Sequence, residues 1–283
     1  MRGFGIWKID DGIYDILDEG NSSFYIVEGE DRAAVIDTGI SPSQKILPLI
    51  RKYTSKPLIL VLTHAHIDHW YHMDEFETVY MCHREFEVGP VALRDMMADK
   101  DLHPERTLDI RTDTRIELGG TSLSICEVPG HTPGSVVVLD ERSNRLFTGD
   151  AIGSGYGVWM QTPTSVPLET YYESLVHLLK WLVDRGGRMS FHGGHRYQMF
   201  QSTHVPSFNP PSLGLLCDLI DLVDQIVHGK IVGRICVVAT LFCAVWVSTN
   251  MTAAKTNSPN TLPMILFNQI LLFMTNLLRK FHC

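Results

Sequence analysis

The chain of 283 residues lacks several features that would assign it to a specialised class of protein. Its six cysteines include no CxxC pair, and its N-terminus has no apolar segment of the kind found in a cleaved signal peptide. Scattered cysteines are typical of thiols in a reducing compartment, so we expect a cytoplasmic protein. Basic residues are also scarce, with 24 Lys and Arg against 32 Asp and Glu, and the net charge of -8 disfavours nucleic acid as a partner.

The overall composition of the chain is that of a globular protein. Hydrophobic residues make up 45% of the chain and charged residues 20%. A chain of this length forms one large domain or two small ones, and it can bury enough surface to fold without disulfides. Histidine is unusually frequent, since the chain has 13 and four of them lie between Thr63 and His72.

The first sixty residues have the alternating apolar and polar pattern of short strands. We predict strands over Gly5–Ile9, Gly12–Leu17, Ser23–Glu28 and Ala33–Ile36. The spacing of Pro42–Tyr53 predicts a helix, with Ser41 as its N-cap. The continuous apolar run between Pro57 and Thr63 predicts a strand buried on both faces, so we expect further layers to cover the sheet.

The second half of the chain alternates predicted helices and strands. Helical spacing predicts helices over Pro90–Lys100, Leu168–Val183 and Leu213–Val227. Short apolar runs predict strands over Ser135–Leu139, Asn144–Phe147 and Met189–Phe191. The last two strands each end at a glycine-containing turn, and both turns contain a side chain that can bind a metal ion.

The C-terminal tail, residues 234–283, differs in composition from the rest of the chain. Its apolar centre over Ile235–Val247 is shorter than the roughly 20 residues that span a bilayer. A second apolar stretch, Leu262–Leu278, is interrupted by Pro263 and by polar residues. We therefore divide the chain into a domain over residues 1–233 and this tail, for which packing on the domain, self-association and membrane association are all open.

The segment from Thr63 to His69, THAHIDH, is the strongest chemical signal in the sequence. It places four ligand-type side chains directly after the predicted buried strand, and α/β proteins tend to place their sites at the carboxyl ends of strands. Ordinary packing does not satisfy so many polar groups at once. Imidazole and carboxylate together suit zinc, iron or manganese better than they suit a metal that selects thiolates.

Three later motifs each place one candidate ligand beside glycine at a predicted strand end. They are PGHTPGS with His131, TGD with Asp150 and GGH with His195. Glycine lets the backbone and an ion approach each other closely. Each motif alone is common in turns, but their order behind the HxHxDH segment is highly specific.

Together with Asp37 in DTG, these motifs resemble those of the metallo-β-lactamase superfamily of hydrolases, over about residues 5–230. The resemblance implies an α/β fold, a four-layer αββα sandwich with the site at one edge of its two sheets. It also implies two divalent metal ions, most simply zinc, with iron or manganese as alternatives. The first ion would be held by His64, His66 and His131, the second by Asp68, His69 and His195, with Asp150 bridging both. Asp37 is expected to anchor the site through hydrogen bonds.

The same resemblance suggests a reaction. Two such ions supply hydroxide near neutral pH, and Asp68 would orient it and then protonate the leaving group. True β-lactamases of the superfamily usually carry Cys or Ser where Asp150 stands. We therefore predict hydrolysis of a small-molecule thioester, of the hydroxyacylglutathione or acyl-CoA type, with a lactone as the alternative. A β-lactamase, a phosphodiesterase or ribonuclease, and a diiron redox protein are less favoured.

The sequence departs from the family pattern in two places. Trp70–Met73 replace the Gly-Gly that often follows the DH pair, and the last motif offers both His192 and His195. We prefer His195 because it follows glycine. Tyr156 and Trp159, in the glycine-rich loop after Asp150, are predicted to line a substrate pocket, although they would serve equally well to cap the edge of the sandwich.

Overall fold

The computed structural model describes residues 3–88, 94–95, 100–153, 158–160, 162, 164–196 and 212–231. The strands of the first half are β1 (Gly5–Asp10), β2 (Ile13–Leu17), β3 (Ser23–Glu28), β4 (Ala33–Ile36), β5 (Leu58–Val61), β6 (Val79–Met81), β7 (Arg94–Asp95), β8 (Lys100–Asp101) and β9 (Leu108–Asp109). Those of the second half are β10 (Arg115–Glu117), β11 (Ser122–Glu127), β12 (Val136–Asp140), β13 (Arg145–Gly149) and β14 (Ser190–Gly193). The α-helices are α1 (Leu47–Ile50), α2 (Ile67–Trp70), α3 (Leu168–Asp184) and α4 (Leu213–Val227).

The strands form two main sheets. The first sheet has the order β1-β2-β3-β4-β5-β6-β9, and the second has the order β10-β11-β12-β13-β14. Neighbours from β1 to β4 are antiparallel, whereas β4, β5, β6 and β9 run parallel to one another. In the second sheet only β13 and β14 pair in parallel. Parallel neighbours bring their carboxyl ends to the same edge, and those ends carry the predicted motifs.

Three apolar layers separate the sheets and helices. Side chains of both sheets pack against each other between them, including Tyr25 and Val61 from the first sheet and Ile125 and Phe147 from the second. A second layer joins the outer face of the first sheet to α1 and α2. A third joins the outer face of the second sheet to α3 and α4. The predicted four-layer αββα sandwich is therefore confirmed.

The predicted helix over Pro42–Tyr53 is wrong, because only α1 is helical in this segment. Proline lacks an N–H and its ring clashes with the carbonyl four residues earlier, so Pro48 is tolerated only in the first turn of a helix. The predicted cap at Ser41 is also wrong. The carboxylate of Glu75 instead accepts hydrogen bonds from the N–H groups of Ile46 (3.2 Å) and Leu47 (2.9 Å).

The predicted helix over Pro90–Lys100 is wrong where the structure describes it. Its residues Arg94–Asp95 form β7 and pair antiparallel with Lys100–Asp101. Helical spacing over so short a segment does not distinguish an amphipathic helix from a small hairpin. The remaining residues of this predicted helix lie outside the described residues, as do Tyr156 and the tail from residue 234 onward.

Among the residues that the structure describes, no helix is both long enough and apolar enough to cross a bilayer.

Candidate metal centre

Five strand ends meet at one edge of the sandwich. Asp37 follows β4, and the segment from Thr63 to His69 follows β5, its parallel neighbour. His131 lies in the loop between β11 and β12, while Asp150 and His195 follow the parallel pair β13 and β14. The topology thus brings together residues that are more than 100 positions apart in the sequence.

The short helix α2 determines how the HxHxDH segment is presented. His66 is its N-cap and has extended backbone angles, φ -76° and ψ 142°. The helix therefore begins one residue later, and Asp68 lies in its first turn. Trp70 is buried and its Nε1–H donates a hydrogen bond to the carbonyl of Ala65 (2.9 Å). This bond folds the helix back on the loop, so that the histidines on both sides of Ala65 are fixed.

The seven predicted ligands form two neighbouring groups. The first trio is His64, His66 and His131, and the second trio is Asp68, His69 and His195. Within each trio, one potential ligand atom from every residue lies within 4.8 Å of the others. The closest approach in the first trio is 2.8 Å, between His66 Nδ1 and His131 Nε2. In the second trio, Asp68 Oδ2 lies 3.5 Å from His69 Nε2 and 3.6 Å from His195 Nε2.

Asp150 lies between the two trios. Its Oδ2 is 3.7 Å from His131 Nε2 of the first trio. The same oxygen is 3.7 Å from His69 Nε2 and 3.1 Å from His195 Nε2 of the second. This carboxylate can therefore contact a cation in either trio.

The unpaired atoms of this cluster fit a metal ion. Among the described residues, His64 Nε2, His69 Nε2 and Asp150 Oδ1 are buried and have no hydrogen-bond partner. Buried polar atoms are normally satisfied, so three orphaned ligand-type atoms at one place call for a cation. Gly194 leaves the space open, because a Cβ there would lie 2.4 Å from Asp150 Oδ1 and 2.8 Å from His69 Cε1.

Burial keeps the first trio in the form that binds metals. It lowers the pKa of His64 well below the usual range, lowers that of His131, and lowers that of His66 to about 3. These imidazoles are therefore neutral at physiological pH, and a neutral imidazole has the lone pair that a metal ion needs.

The second trio is dominated by charge. Burial would raise the pKa of Asp68 and of Asp150, but the nearby imidazoles of His69 and His195 bring both below their usual range. Burial would also lower the pKa of His195, yet Asp150 and Asp68 raise it to about 9. Without a cation, protons on the imidazoles balance the carboxylates, and metal ions that bind at such a site displace protons.

Asp37 lies beneath the second trio and is 1% exposed. Its carboxylate accepts hydrogen bonds from the N–H and the hydroxyl of Thr63, both at 2.8 Å, and from His69 Nδ1 at 2.9 Å. Its φ of 61° lies in the left-handed region, which non-glycine residues seldom adopt. The side chain is thus held as a hydrogen-bonding anchor that fixes the His69 ring, and the other ring nitrogen, Nε2, faces the centre.

The side chains of the two histidines of the last motif, His192 and His195, have different neighbours. His195 belongs to the second trio, as described above. His192 Nε2 lies 3.2 Å from an Arg145 guanidinium nitrogen, and its ring packs on Tyr25 and Phe147. The end of β14 explains the difference. His192 lies within the strand, whereas His195 lies beyond its last residue.

The predicted substrate-binding residues are only partly described. The Trp159 side chain is 46% exposed, and its backbone carbonyl accepts a hydrogen bond from His131 Nδ1 at 2.6 Å. Trp159 therefore lies beside the first trio with its indole directed to solvent. Tyr156 lies outside the described residues.

Sequence reasoning missed several residues that contact the centre. The hydroxyl of Ser22 donates to Asp68 Oδ2 at 2.9 Å, and Thr164 Oγ1 lies 3.4 Å from His66 Nε2. Thr63 Oγ1 lies 3.1 Å from His64 Nδ1. Only Thr63, which adjoins the HxHxDH segment, had a signal in the sequence. Ser22 and Thr164 are small polar residues in turns, where such residues are common for other reasons.

Comparisons with known proteins agree with this geometry. A family model described as Metallo-beta-lactamase superfamily matches residues 17–184. Acyl-coenzyme A thioesterase MBLAC2 from Homo sapiens is 28% identical over 218 residues, which cover 65% of this chain and 75% of that protein. A metallo-beta-lactamase from Pontibacter korlensis has a TM-score of 0.58 and 19% identity, covering 78% of this chain and 99% of that one. A protein solved in a di-iron-bound form has a TM-score of 0.51 and 24% identity, covering 69% and 92%.

Proposed function

Since this chain belongs to the metallo-beta-lactamase superfamily and is a metal-dependent hydrolase, we propose that it hydrolyses a small-molecule thioester at a centre of two metal ions. The substrate class is an acyl-CoA or a hydroxyacylglutathione. One observation carries the dinuclear part of the proposal: Asp150 lies between two complete trios of ligand-type side chains, with its Oδ2 within 3.7 Å of members of both.

Zinc is our first choice for both positions, and iron or manganese would suit the same donors. The centre offers imidazole and carboxylate groups and no thiolate among the described residues, which fits all three metals. When bound, a pair of such ions supplies a nucleophile near neutral pH and polarises the scissile carbonyl. The chain itself has to hold the ions, exclude bulk water and transfer the proton from the attacking water to the leaving group.

The burial of the ligands serves the first two tasks. His64, His69 and His131 are fully buried, with 0% of each residue exposed. The side chains of Asp68 and Asp150 are instead 28% and 18% exposed, so we propose that bulk water and substrate enter from their side.

Asp68 is placed to manage the proton. Its carboxylate is partly exposed, and its Oδ2 accepts a hydrogen bond from the hydroxyl of Ser22 and lies 3.5 Å from His69 Nε2. We propose that Asp68 takes a proton from the attacking water and delivers it to the departing sulfur. Water thereby adds OH to the acyl carbon as the C–S bond breaks, and the products are a carboxylic acid and a thiol.

Two observations and the chemistry of the leaving group support a thioester as the substrate. The human relative that covers 65% of this chain is named an acyl-CoA thioesterase. A thiol also has a pKa near 8.5, so the sulfur leaves easily and a weakly acidic side chain is enough to protonate it. The half-exposed indole of Trp159, beside the first trio, gives the acyl group or its carrier an apolar surface on which to bind.

The proposal is tested by measuring metal content and substrate range together. We expect purified protein to contain two equivalents of metal and to release free thiol from an acyl-CoA or a hydroxyacylglutathione. Activity should disappear on chelation and return when metal is added back. The matched panel contains a lactone, a β-lactam and a phosphodiester, each at the same concentration.

Each part of the proposal has its own contrary result. Thiol release that survives exhaustive chelation would refute the metal-dependent mechanism. Turnover of the lactone with no turnover of either thioester would replace the substrate with the lactone alternative. One equivalent of metal in a fully active protein would refute the dinuclear centre.

A further inference from the structure

The turn between β2 and β3, residues 18–22, contacts the second trio from outside. It is held tightly by its own hydrogen bonds. Asp18 accepts from the N–H of Ser22 at 2.7 Å through Oδ1, and from the N–H of Ile40 through Oδ2. Gly20 packs closely against this neighbouring loop, since a Cβ there would lie 2.5 Å from Ile40 Cγ2. The turn is therefore braced against the loop that follows Asp37.

From this braced position, two consecutive residues contact two members of the second trio. The hydroxyl of Ser22 donates to Asp68 Oδ2 at 2.9 Å. The backbone carbonyl of Asn21 accepts a hydrogen bond from His195 Nδ1 at 3.1 Å. Asn21 has a φ of 68°, in the left-handed region, in the turn where its carbonyl contacts His195.

The next residue extends the same contact. The N–H of Ser23 donates to the carbonyl of Gly194 at 2.7 Å, and Ser23 Oγ accepts from the N–H of Arg196 at 2.9 Å. His195 is thus bounded on both sides by residues that are bonded to Ser23. The turn thus connects the loop of His195, which follows β14 of the second sheet, to Asp68 in α2, which follows β5 of the first sheet.

We propose that Ser22 is a positioning residue for Asp68, and that the β2–β3 turn orients the second metal position specifically. The inference rests on the ligand set and the role of Asp68 proposed above. Ser22 is 1% exposed. A charge-assisted hydrogen bond to one carboxylate oxygen restricts rotation of the side chain, and it leaves the other oxygen, Oδ1, to take and deliver the proton.

The first trio is oriented by other elements. Trp159 O and Thr164 Oγ1, from the loop before α3, contact His131 and His66. Hydrogen bonds from outside a metal site orient its ligands, and losing one typically costs 10–100-fold in metal affinity or activity. A change confined to the β2–β3 turn should therefore affect one of the two ions and spare the other.

The test uses the full-length protein, stripped of metal and titrated with zinc against a chromophoric chelator. We expect Ser22→Ala to weaken one of the two bound ions by about 10–100-fold and to leave the other unchanged. Its kcat should fall with little change in KM, because Ser22 reaches the substrate only through Asp68. Ser22→Thr, which retains the hydroxyl, should restore both properties.

Ser43→Ala is the matched control, because Ser43 is an exposed serine whose hydroxyl bonds to Glu19 away from the centre. It should titrate like the wild-type protein. Equal weakening of both ions in Ser22→Ala, or none, would overturn the proposal. The zinc titration uses no thioester, so the failure of the proposed substrate would be seen separately.

A double variant guards against a folding defect in Ser22→Ala. With Asp68→Asn already present, Ser22 no longer meets a carboxylate, so adding Ser22→Ala should reduce kcat little further. Full additivity of the two changes in kcat would show that Ser22 acts independently of Asp68 and would likewise overturn the proposal.

Discussion

Asp37 and Asp68 are carboxylates on opposite sides of the His69 ring. Asp37 is buried, accepts three hydrogen bonds and fixes the ring from beneath. Asp68 is partly exposed, and its Oδ2 accepts a hydrogen bond from Ser22. The two residues have the same chemistry but different surroundings, which is why we propose a structural role for Asp37 and a role in the reaction for Asp68.

Replacing each of them by asparagine should therefore have a different effect. We expect Asp68→Asn to lower kcat by about 10²–10⁴, the usual contribution of a positioned acid or base, with little change in unfolding free energy. We expect Asp37→Asn to lower stability or metal content first, because the amide cannot accept from all three donors. Steady-state kinetics, metal analysis and urea unfolding on both variants check this. Identical profiles would contradict the division of roles.

Glu85, like Asp37, is a buried carboxylate near the centre, but sequence reasoning did not select it. It is 1% exposed, and it accepts hydrogen bonds from Thr132 Oγ1 at 2.5 Å and from the N–H groups of Ala65 and Gly134. It thus connects the loop of His64 and His66 to the loop of His131. Burial raises the pKa of Glu85 from 4.5 to about 7, against the opposing effect of these hydrogen bonds.

This shift predicts a pH dependence of stability. An acid whose pKa is higher in the folded state makes its full contribution below about 4.5 and loses it as the pH rises to about 7. The loss is about 3 kcal/mol, taking about 1.4 kcal/mol per pKa unit. Urea unfolding at equal metal loading should show that the wild-type protein loses about 3 kcal/mol more across this range than Glu85→Gln does, because the raised pKa of Asp18 contributes to the fall in both proteins.

Glu87→Gln provides the control, since Glu87 lies two residues along and is exposed. Its stability should follow the wild-type pH profile. If Glu85→Gln also followed that profile, Glu85 would not be the group responsible.

At the scale of elements, α3 does more than cover the second sheet. The hydroxyl of Tyr171 donates to the carbonyl of Ala151 at 2.7 Å, directly after Asp150. The hydroxyl of Ser174 donates to the carbonyl of Pro129 at 2.8 Å, two residues before His131. One face of the helix therefore holds two of the loops that carry the centre, and its tight approach requires glycine at position 130, where a Cβ would lie 2.1 Å from Tyr171 Cδ2.

Removal of the Tyr171 hydroxyl tests this connection. Tyr171→Phe leaves the buried carbonyl of Ala151 without its donor, which should lower the unfolding free energy by about 1–3 kcal/mol. Tyr172→Phe, on the half-buried neighbour, is the comparison and should change stability less. The free energy of unfolding of both variants is measured in guanidinium. Equal decreases in the two variants would mean that the hydrogen bond to Ala151 is not the cause.

The same elements explain which predictions from the sequence succeeded. Helix α3 was predicted over Leu168–Val183 and α4 over Leu213–Val227, because one apolar face at helical spacing is a local property. Helix α1 was overestimated because its cap comes from Glu75, which is distant in the sequence. The antiparallel pair of β7 and β8 depends on pairing between strands, which spacing within one segment does not report.

The same reasoning applies to the candidate centre. Its ligand-type residues could be found because each lies in a short motif at a strand end. The sequence favoured His195 over His192 only on the glycine before it, since the physical reason, the point at which β14 ends, is a property of the folded sheet. It could not find Ser22 or Glu85 either, because their partners Asp68 and Thr132 are 46 and 47 positions away.

At the scale of the whole molecule, the described residues by themselves form three apolar layers. Their buried members in the described part of the chain lie between Ile13 and Ile226. We therefore expect a chain truncated after Gly233 to remain folded, metal-loaded and active. Comparing turnover, metal content and partition into detergent for the two forms checks this. An unfolded or metal-free truncation would instead make residues 234–283 part of the domain core.

The placement of the ligands also has a mechanical consequence. In each trio, two residues come from the segment after β5 in the first sheet and one comes from a loop of the second sheet. An ion held by either trio would act as a cross-link between the two halves of the sandwich at one edge. By mass action, such a link adds about 2.7 kcal/mol to the folded state when the free ion is at 100 times its dissociation constant. The melting temperature would then report the metal supply of the protein's surroundings, and starvation for metal would loosen the sandwich at the edge that carries the two trios.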